Sequence, residues 1–398
     1  MSMNPAPRLL LILPLLGSLV AGCATPTAPP AVPAAGAPGA AAPGKAPAEI
    51  KTQTSVVSAQ GHEGTADELF AQGKQLMMQE KFREAAEVFD LVLRGDPDPK
   101  LAAMALMQGG LAREGAADRA EALVRYQNLV KSFPQDDLVK PALLRQGRVL
   151  IQLERWAELT SAAEGLLARP DLTISEQIES LGNRALGLIE QNELEQATLS
   201  ASRARTLMEK HHVGESGRIP HEAALTFFAQ GETRRVRSEQ IRFEPAPPSF
   251  ATAFEERAAG LLEAQSAYTD AMRTTDPFWA TWAGFRVGQL YQQLHRDVMA
   301  VKPPEKITTE KDRKLYEGAL QLRYRILLQK GLKMMQSTVK MNERVGETNA
   351  WGQRAREAMA QLEQAIEGAN AVIKQVGVPE ETLKAGMDAM AKEQAKKN

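Results

Sequence analysis

The chain has 398 residues, with 48 Lys and Arg against 49 Asp and Glu, for a formal net charge of −1. That balance gives no electrostatic case for nucleic acid. A single cysteine excludes an internal disulfide framework. Hydrophobic residues make up 43% of the chain, enough for a substantial continuous core.

The N-terminus reads MSMNPAPRLLLILPLLGSLVAGC, with Arg8 the only charge before the apolar run Leu9–Leu16. That run is too short to cross a hydrocarbon core about 30 Å thick. It reads as a secretory signal peptide over residues 1–22. Its end, Val20-Ala21-Gly22-Cys23, resembles a bacterial lipobox. The plainer alternative is an ordinary signal peptide with a chance cysteine. A lone thiol in a chain bound for an oxidising compartment suits lipidation. The resemblance implies that Cys23 is lipidated and anchors the protein to a membrane. Ala24, where an Asp would imply the inner membrane, implies the outer one, on its periplasmic face.

Residues 23–62 are expected to form the lipidated cysteine and an Ala/Pro-rich disordered linker. They carry almost no large apolar side chains and cannot offset the entropy of ordering. Gly39-Ala40-Ala41-Ala42-Pro43-Gly44-Lys45-Ala46 nearly spells a phosphate-binding loop. Ala46 lacks the hydroxyl that would meet magnesium, and no strand precedes the loop, so the match is compositional.

Beyond the linker the sequence is charged, rich in Leu and Ala and poor in β-branched runs, which predicts an all-α body. In the stretch from Ala66 to Pro97 two helical patterns flank a break at Gln79-Glu80-Lys81. Gly73 and Ala85 fall where two helices cross closely, Phe89 supplies bulk, and Pro97 closes the unit. Gly110, Ala122, Tyr126 and Pro134 repeat the scheme. These residues resemble the tetratricopeptide repeat, with small residues at two crossing positions, an aromatic and a closing proline. The resemblance implies a TPR-like helical-hairpin solenoid. Its third unit holds Leu143, Gly147, Leu150 and Trp156, and its fourth Leu181, Ala185, Leu194, Ala197 and Ala201. Units three and four also read as generic helical hairpins. The TPR-like region is placed at 63–212, degenerate repeats and long hairpins at 213–390, and a charged tail at 391–398.

In such stacks the first helix of each hairpin lines a groove that holds a peptide. Mapped onto this chain, the groove exposes Phe70, Lys74 and Met77 from unit one. Met104, Met107 and Leu111 follow from unit two, and Leu144 and Arg148 from unit three. Methionines suit an adaptable apolar surface, and Lys74 with Arg148 is expected to hold a partner carboxylate. The alternative is that the chain's own later helices cover these positions.

The search for chemistry ends without a catalytic set. His211, His212 and His221 invite a metal, or read as a solvated helix end. His221-Glu222-Ala223-Ala224-Leu225 lacks the second histidine of a zinc-protease helix. Ser337-Thr338-Val339-Lys340 matches one motif of penicillin-binding enzymes, but no Lys-Thr-Gly partner occurs. No catalytic residue, metal ligand or cofactor is assigned, and the chain reads as a non-enzyme. The segment Phe278–Ala300 concentrates Trp279, Trp282, Phe285 and Tyr291. Two readings stand for it, core packing between hairpins and a partner-binding anchor. Two long amphipathic helices then join at Gly346-Glu347-Thr348-Asn349. Charge leans along the chain: the region to about Glu215 is acid-rich, and Lys302–Asn398 has excess Lys and Arg.

The second half also carries a resemblance. It lies in Ala224–Phe243, Ala264-Gln265-Ser266-Ala267-Tyr268, Trp279–Tyr291 with Gly284 and Gly288, Pro303-Pro304, Asn342–Gly346 and Asn349-Ala350-Trp351. Together these resemble the TPR lipoproteins of the adventurous gliding-motility machinery. That implies a non-catalytic scaffold of an envelope-spanning motility complex, whose partners are other envelope proteins, outer-membrane β-barrels among them. The alternatives are a pilotin-like or β-barrel-assembly TPR lipoprotein and, further off, an envelope enzyme such as a peptidoglycan hydrolase.

Overall fold

The structure is a computed structural model that describes residues 56–57, 63–214, 219–244, 249–274, 276–305, 307–345 and 350–395. The signal peptide, the lipobox Val20-Ala21-Gly22-Cys23, the near-phosphate loop and the join at Gly346–Asn349 lie outside the described residues. The described residues form fourteen helices. One minimal strand pair precedes them, β1 (Val56–Val57) against β2 (Glu63–Gly64), antiparallel with Val56 opposite Gly64. Val56 and Val57 fall within the stretch expected to be linker. Among the described residues no helix is long and apolar enough to cross a membrane.

The first eight helices form four hairpins: α1 (Ala66–Met78) with α2 (Phe82–Arg94), and α3 (Pro99–Gly115) with α4 (Arg119–Ser132). Then come α5 (Val139–Gln152) with α6 (Trp156–Leu167), and α7 (Ile174–Glu190) with α8 (Leu194–Lys210). Local chemistry starts these helices. Thr65 and Glu68 form a reciprocal capping box at α1, as Thr173 and Glu176 do at α7. Asp98 caps α3, and Pro99 occupies its first turn.

One turn joins the two helices in all four hairpins. A non-glycine residue with left-handed backbone recurs at Glu80, Ala117, Glu154 and Asn192, in steps of 37, 37 and 38 residues. The next residue's N–H reaches back five residues to a carbonyl. The pairs are Lys81 to Leu76 at 3.0 Å, Asp118 to Arg113 at 2.8 Å, Arg155 to Leu150 at 3.0 Å and Glu193 to Leu188 at 2.9 Å. This is a Schellman closure that satisfies an end carbonyl and starts the second helix at once. Hairpins three and four share it with the first two. The period is 37 residues, a little longer than the 34 of the standard repeat.

Close crossings match the small-residue slots. A Cβ on Gly73 would lie 2.7 Å from the Phe89 ring, so only glycine admits that aromatic at this distance. Gly110 meets the Tyr126 ring in the same way. Each hairpin then packs its second helix on the first helix of the next, which gives a helical solenoid.

The second half keeps the hairpin habit with longer helices: α9 (His221–Glu239), α10 (Phe250–Met272), α11 (Pro277–Met299), α12 (Glu310–Val345), α13 (Ala350–Gln375) and α14 (Glu380–Ala395). Gly231 lies against Tyr268 as Gly73 does against Phe89. The aromatic segment is core: Trp279, Trp282, Phe285 and Tyr291 are all buried. That removes them as a surface anchor. Trp282 stacks on Trp351 of α13 with ring centroids 4.3 Å apart and planes 10° apart. Beside that stack Arg354 of α13 reaches Glu154, in the α5–α6 turn, at 2.9 Å.

Candidate functional site

The first helices of four successive units, α5, α7, α9 and α11, meet around a cleft of about 140 Å³. Arg148 and Gln152 enter from α5, Glu179 and Asn183 from α7, and Glu222 and Leu225 from α9. Asp276, Phe278 and Trp279 enter at the start of α11. Helical spacing explains the sharing, since Glu179 and Asn183 are four residues apart and lie on one face.

Arg148 donates from Nε to Glu179 Oε1 at 3.0 Å and from Nη2 to Oε2 at 3.3 Å. Burial opposes its charge, but Glu179, with Glu114 and Glu222 further off, outweighs burial and raises its pKa above the ordinary guanidinium value. Asp276 caps α11 by accepting from the N–H groups of Phe278 and Trp279 at 2.9 and 3.4 Å. Asn183 is 2% exposed, and its Nδ2 has no hydrogen-bond partner. It fills the space beside Gly147 that Phe89 and Tyr126 fill beside their glycines.

Ala85, Phe89, Ala122 and Tyr126 are fully buried, and the Tyr126 hydroxyl donates to Glu114. Pro97 and Pro134 lie in the connections after α2 and α4. The groove residues divide. Lys74 is exposed. Phe70 is half-buried and tilts against Phe89 with centroids 5.6 Å apart. Met77, Met104, Leu111 and Leu144 are half-buried on the core. Two expectations need correction. Met107 is buried at 8% exposure, because α3 turns it into the main core and away from any groove. Arg148 is exposed as expected, but its guanidinium already pairs with Glu179, so it is not a free cation awaiting a partner carboxylate.

Sequence reasoning missed Glu179, Asn183 and Asp276 as neighbours of Arg148. The one available signal was the pairing of Glu179 with Asn183 on a helix face. Among the described residues no group of three or more His, Cys, Asp or Glu could hold a metal. Cys23, Val20, Ala21 and Gly22 are outside the described residues.

A second polar centre is built on a buried carboxylate. Glu232 of α9 is completely buried and pairs with Arg286 at 2.7 Å, Arg235 at 2.7 Å and the Tyr268 hydroxyl at 2.8 Å. Burial pushes its pKa up, yet Arg286 and Arg235 prevail and hold it below the usual glutamate value. These pairings join α9, α10 and α11 through the buried carboxylate.

No family model and no curated protein matches the chain. Among solved structures it is similar to a tetratricopeptide repeat protein from Parabacteroides merdae ATCC 43184, with 14% identity and a TM-score of 0.39. The match covers 75% of this chain and 98% of that one. The repeat character of this chain rests on its own four hairpins and their common turn.

Proposed function

We propose that the chain is a non-catalytic protein-interaction scaffold of the cell envelope, working in a gliding-motility complex and held to the outer membrane by lipid on Cys23. The run of four hairpins with one turn geometry carries the scaffold part of this reading, because it lines up successive first helices as a continuous surface. The motility and membrane parts are supported by sequence alone: the lipobox and the motifs of the second half. An anchored module gains from confinement, which raises its effective concentration near membrane-embedded partners.

Deleting the gene tests this. Single-cell gliding should stop and partner proteins should lose their positions, while growth and bulk insertion of outer-membrane barrels continue. General failure of barrel insertion would favour the escort role instead. Cys23→Ser should release the protein from membranes and abolish lipid labelling; a Ser variant that still carries label removes the anchor from the proposal.

A further inference from the structure

In the first hairpins basic side chains meet acids across helices, as Arg125 meets Asp90 and Arg184 meets Glu164. The outer face of α12 does the opposite. From Gly318 to Asn342 that helix carries no Asp or Glu. α11 and α13 pack on its other side, where Gly331, Met335 and Thr338 are buried. The side left in solvent carries Lys330, Lys333, Lys340 and Arg344, all exposed. At about 3.6 residues per turn the four fall within an arc of about 80° and span about 21 Å of the helix axis.

Among the described residues none of these four is paired with an acid; the ion pairs nearby join Arg325 to Glu380, Arg354 to Glu154 and Arg356 to Glu343. Glu343, next to Arg344, is thereby held toward α13. Lys330 lies over the Tyr291 ring of α11, with Nζ 5.5 Å from the centroid. Lys330 with Lys333, and Lys340 with Arg344, are like charges three and four residues apart, a spacing that weakens a helix until an anion lies across it. The cations stand on the outward edge of one helix, not in a trough between two, so they suit a flat anionic surface better than a peptide, which binds in a groove. Ile326, 48% exposed, continues the same arc one turn before Lys330, and an apolar side chain there enters a headgroup layer.

We propose that this face of α12 lies on a membrane surface that contains anionic lipid, with Lys330, Lys333, Lys340 and Arg344 beside the headgroups and Ile326 at the interface. It is a second membrane contact, separate from lipid on Cys23. The choice of a bilayer rests on the membrane-held reading, while the charge of the face stands without it. An anchor at Cys23 fixes only the N-terminal end of the chain. The basic face of α12 lays the second lobe along the same surface, each cation adding a modest attraction.

The test uses the full chain with Cys23→Ser, so that no acyl chain contributes, sedimented with vesicles. One set is phosphatidylcholine alone, the other an equal mixture of phosphatidylcholine and phosphatidylglycerol. Binding should be about tenfold or more tighter to the anionic set and should weaken as salt rises. Lys333→Glu with Lys340→Glu should remove that excess. Both side chains are exposed, and thermal melting checks the fold. If the variant melts early, Lys333→Gln with Lys340→Gln decides in its place. Lys131→Glu with Arg203→Glu, an equal change of charge at exposed positions of α4 and α8, should keep the excess. Equal binding to the two sets overturns the proposal. So does an unchanged excess in the α12 variant, or an equal loss in the α4 and α8 variant, which would leave net charge as the cause. A poly-glutamate peptide that binds α12 more tightly than the anionic vesicles do would give the face to an acidic polypeptide instead. Acyl labelling of the chain with Cys23 intact scores the anchor separately. If label is absent while the anionic vesicles bind, the anchor falls and the face stands. If label is present and the anionic excess is missing, the face falls alone.

Discussion

The two halves of the solenoid solve the same packing problem differently. From α1 to α8 each hairpin buries small residues at its crossings and closes with the same left-handed turn, so its order is local and repeated. From α9 to α13 the helices are longer, the connections irregular, and order comes from distant partners. Glu232 needs Arg286, Arg257 needs Asp297 at 2.9 Å, and Trp282 needs Trp351. The first half tolerates repetition because each unit asks little of the others. The second depends on pairs that only the complete lobe brings together.

Substitutions at four residues probe that difference. Glu232→Ala has the largest expected effect, since it removes the fully buried acceptor shared by two half-buried guanidinium groups and the Tyr268 hydroxyl. Loss of a partner from such a cluster costs about 3–5 kcal/mol, read as a lowered denaturant midpoint for the whole second half. The same residue sets a pH response. Its carboxyl titrates below the usual glutamate range when folded, so its stabilisation is present at neutral pH and lost as pH falls through that depressed value. Glu232→Gln should flatten the acid limb of the stability profile; an unchanged limb would place the acid sensitivity elsewhere.

Gly73→Ala should cost about 1–3 kcal/mol, because the new methyl meets the buried Phe89 ring. Hydrogen exchange should show the loss confined to α1 to α3, and spreading into α11 would contradict the picture of independent units. His295→Gln is smaller. Burial lowers the His295 pKa below the ordinary 6.5, so the folded protein loses stability as pH drops from about 6.5. The variant should melt with less pH dependence between pH 6.5 and 5, seen in paired thermal scans. Smallest of all, Glu80→Gly relieves the left-handed strain of the first turn against the extra chain entropy of glycine. A gain of about 0.5 kcal/mol is expected in chemical denaturation, and a loss would mean that the Glu80 side chain supports the turn.

Residues with strong local meaning were legible in the sequence. Gly73 with Phe89, and Gly110 with Tyr126, sit sixteen residues apart, and that interval alone carries the crossing geometry. Three features were not legible for physical reasons. The turns use Glu80, Ala117, Glu154 and Asn192, and only the last is a residue type that favours left-handed backbone. Arg148 is a surface residue, but its pairing was hidden because the partner, Glu179, lies on another helix, 31 residues on, and depends on the register between α5 and α7. Met107 was misplaced for the same reason, since which side of α3 faces the next hairpin is a tertiary fact.

The bond between Arg354 and Glu154 spans 200 residues, in a solenoid whose other packing is mostly between neighbours. An exposed ion pair of this kind contributes little energy by itself, but it sits beside the Trp282–Trp351 stack. Its consequence is mechanical. A pull on the N-terminal end would act first on α1 and α2, whose buried residues form a core of their own with part of α3. Beyond α3 the load would meet the main core, which runs on through α13 and carries the Arg354–Glu154 pair on its surface. The molecule is thus a soft lead joined to a stiff block, extending first and resisting later when tension reaches it from that end.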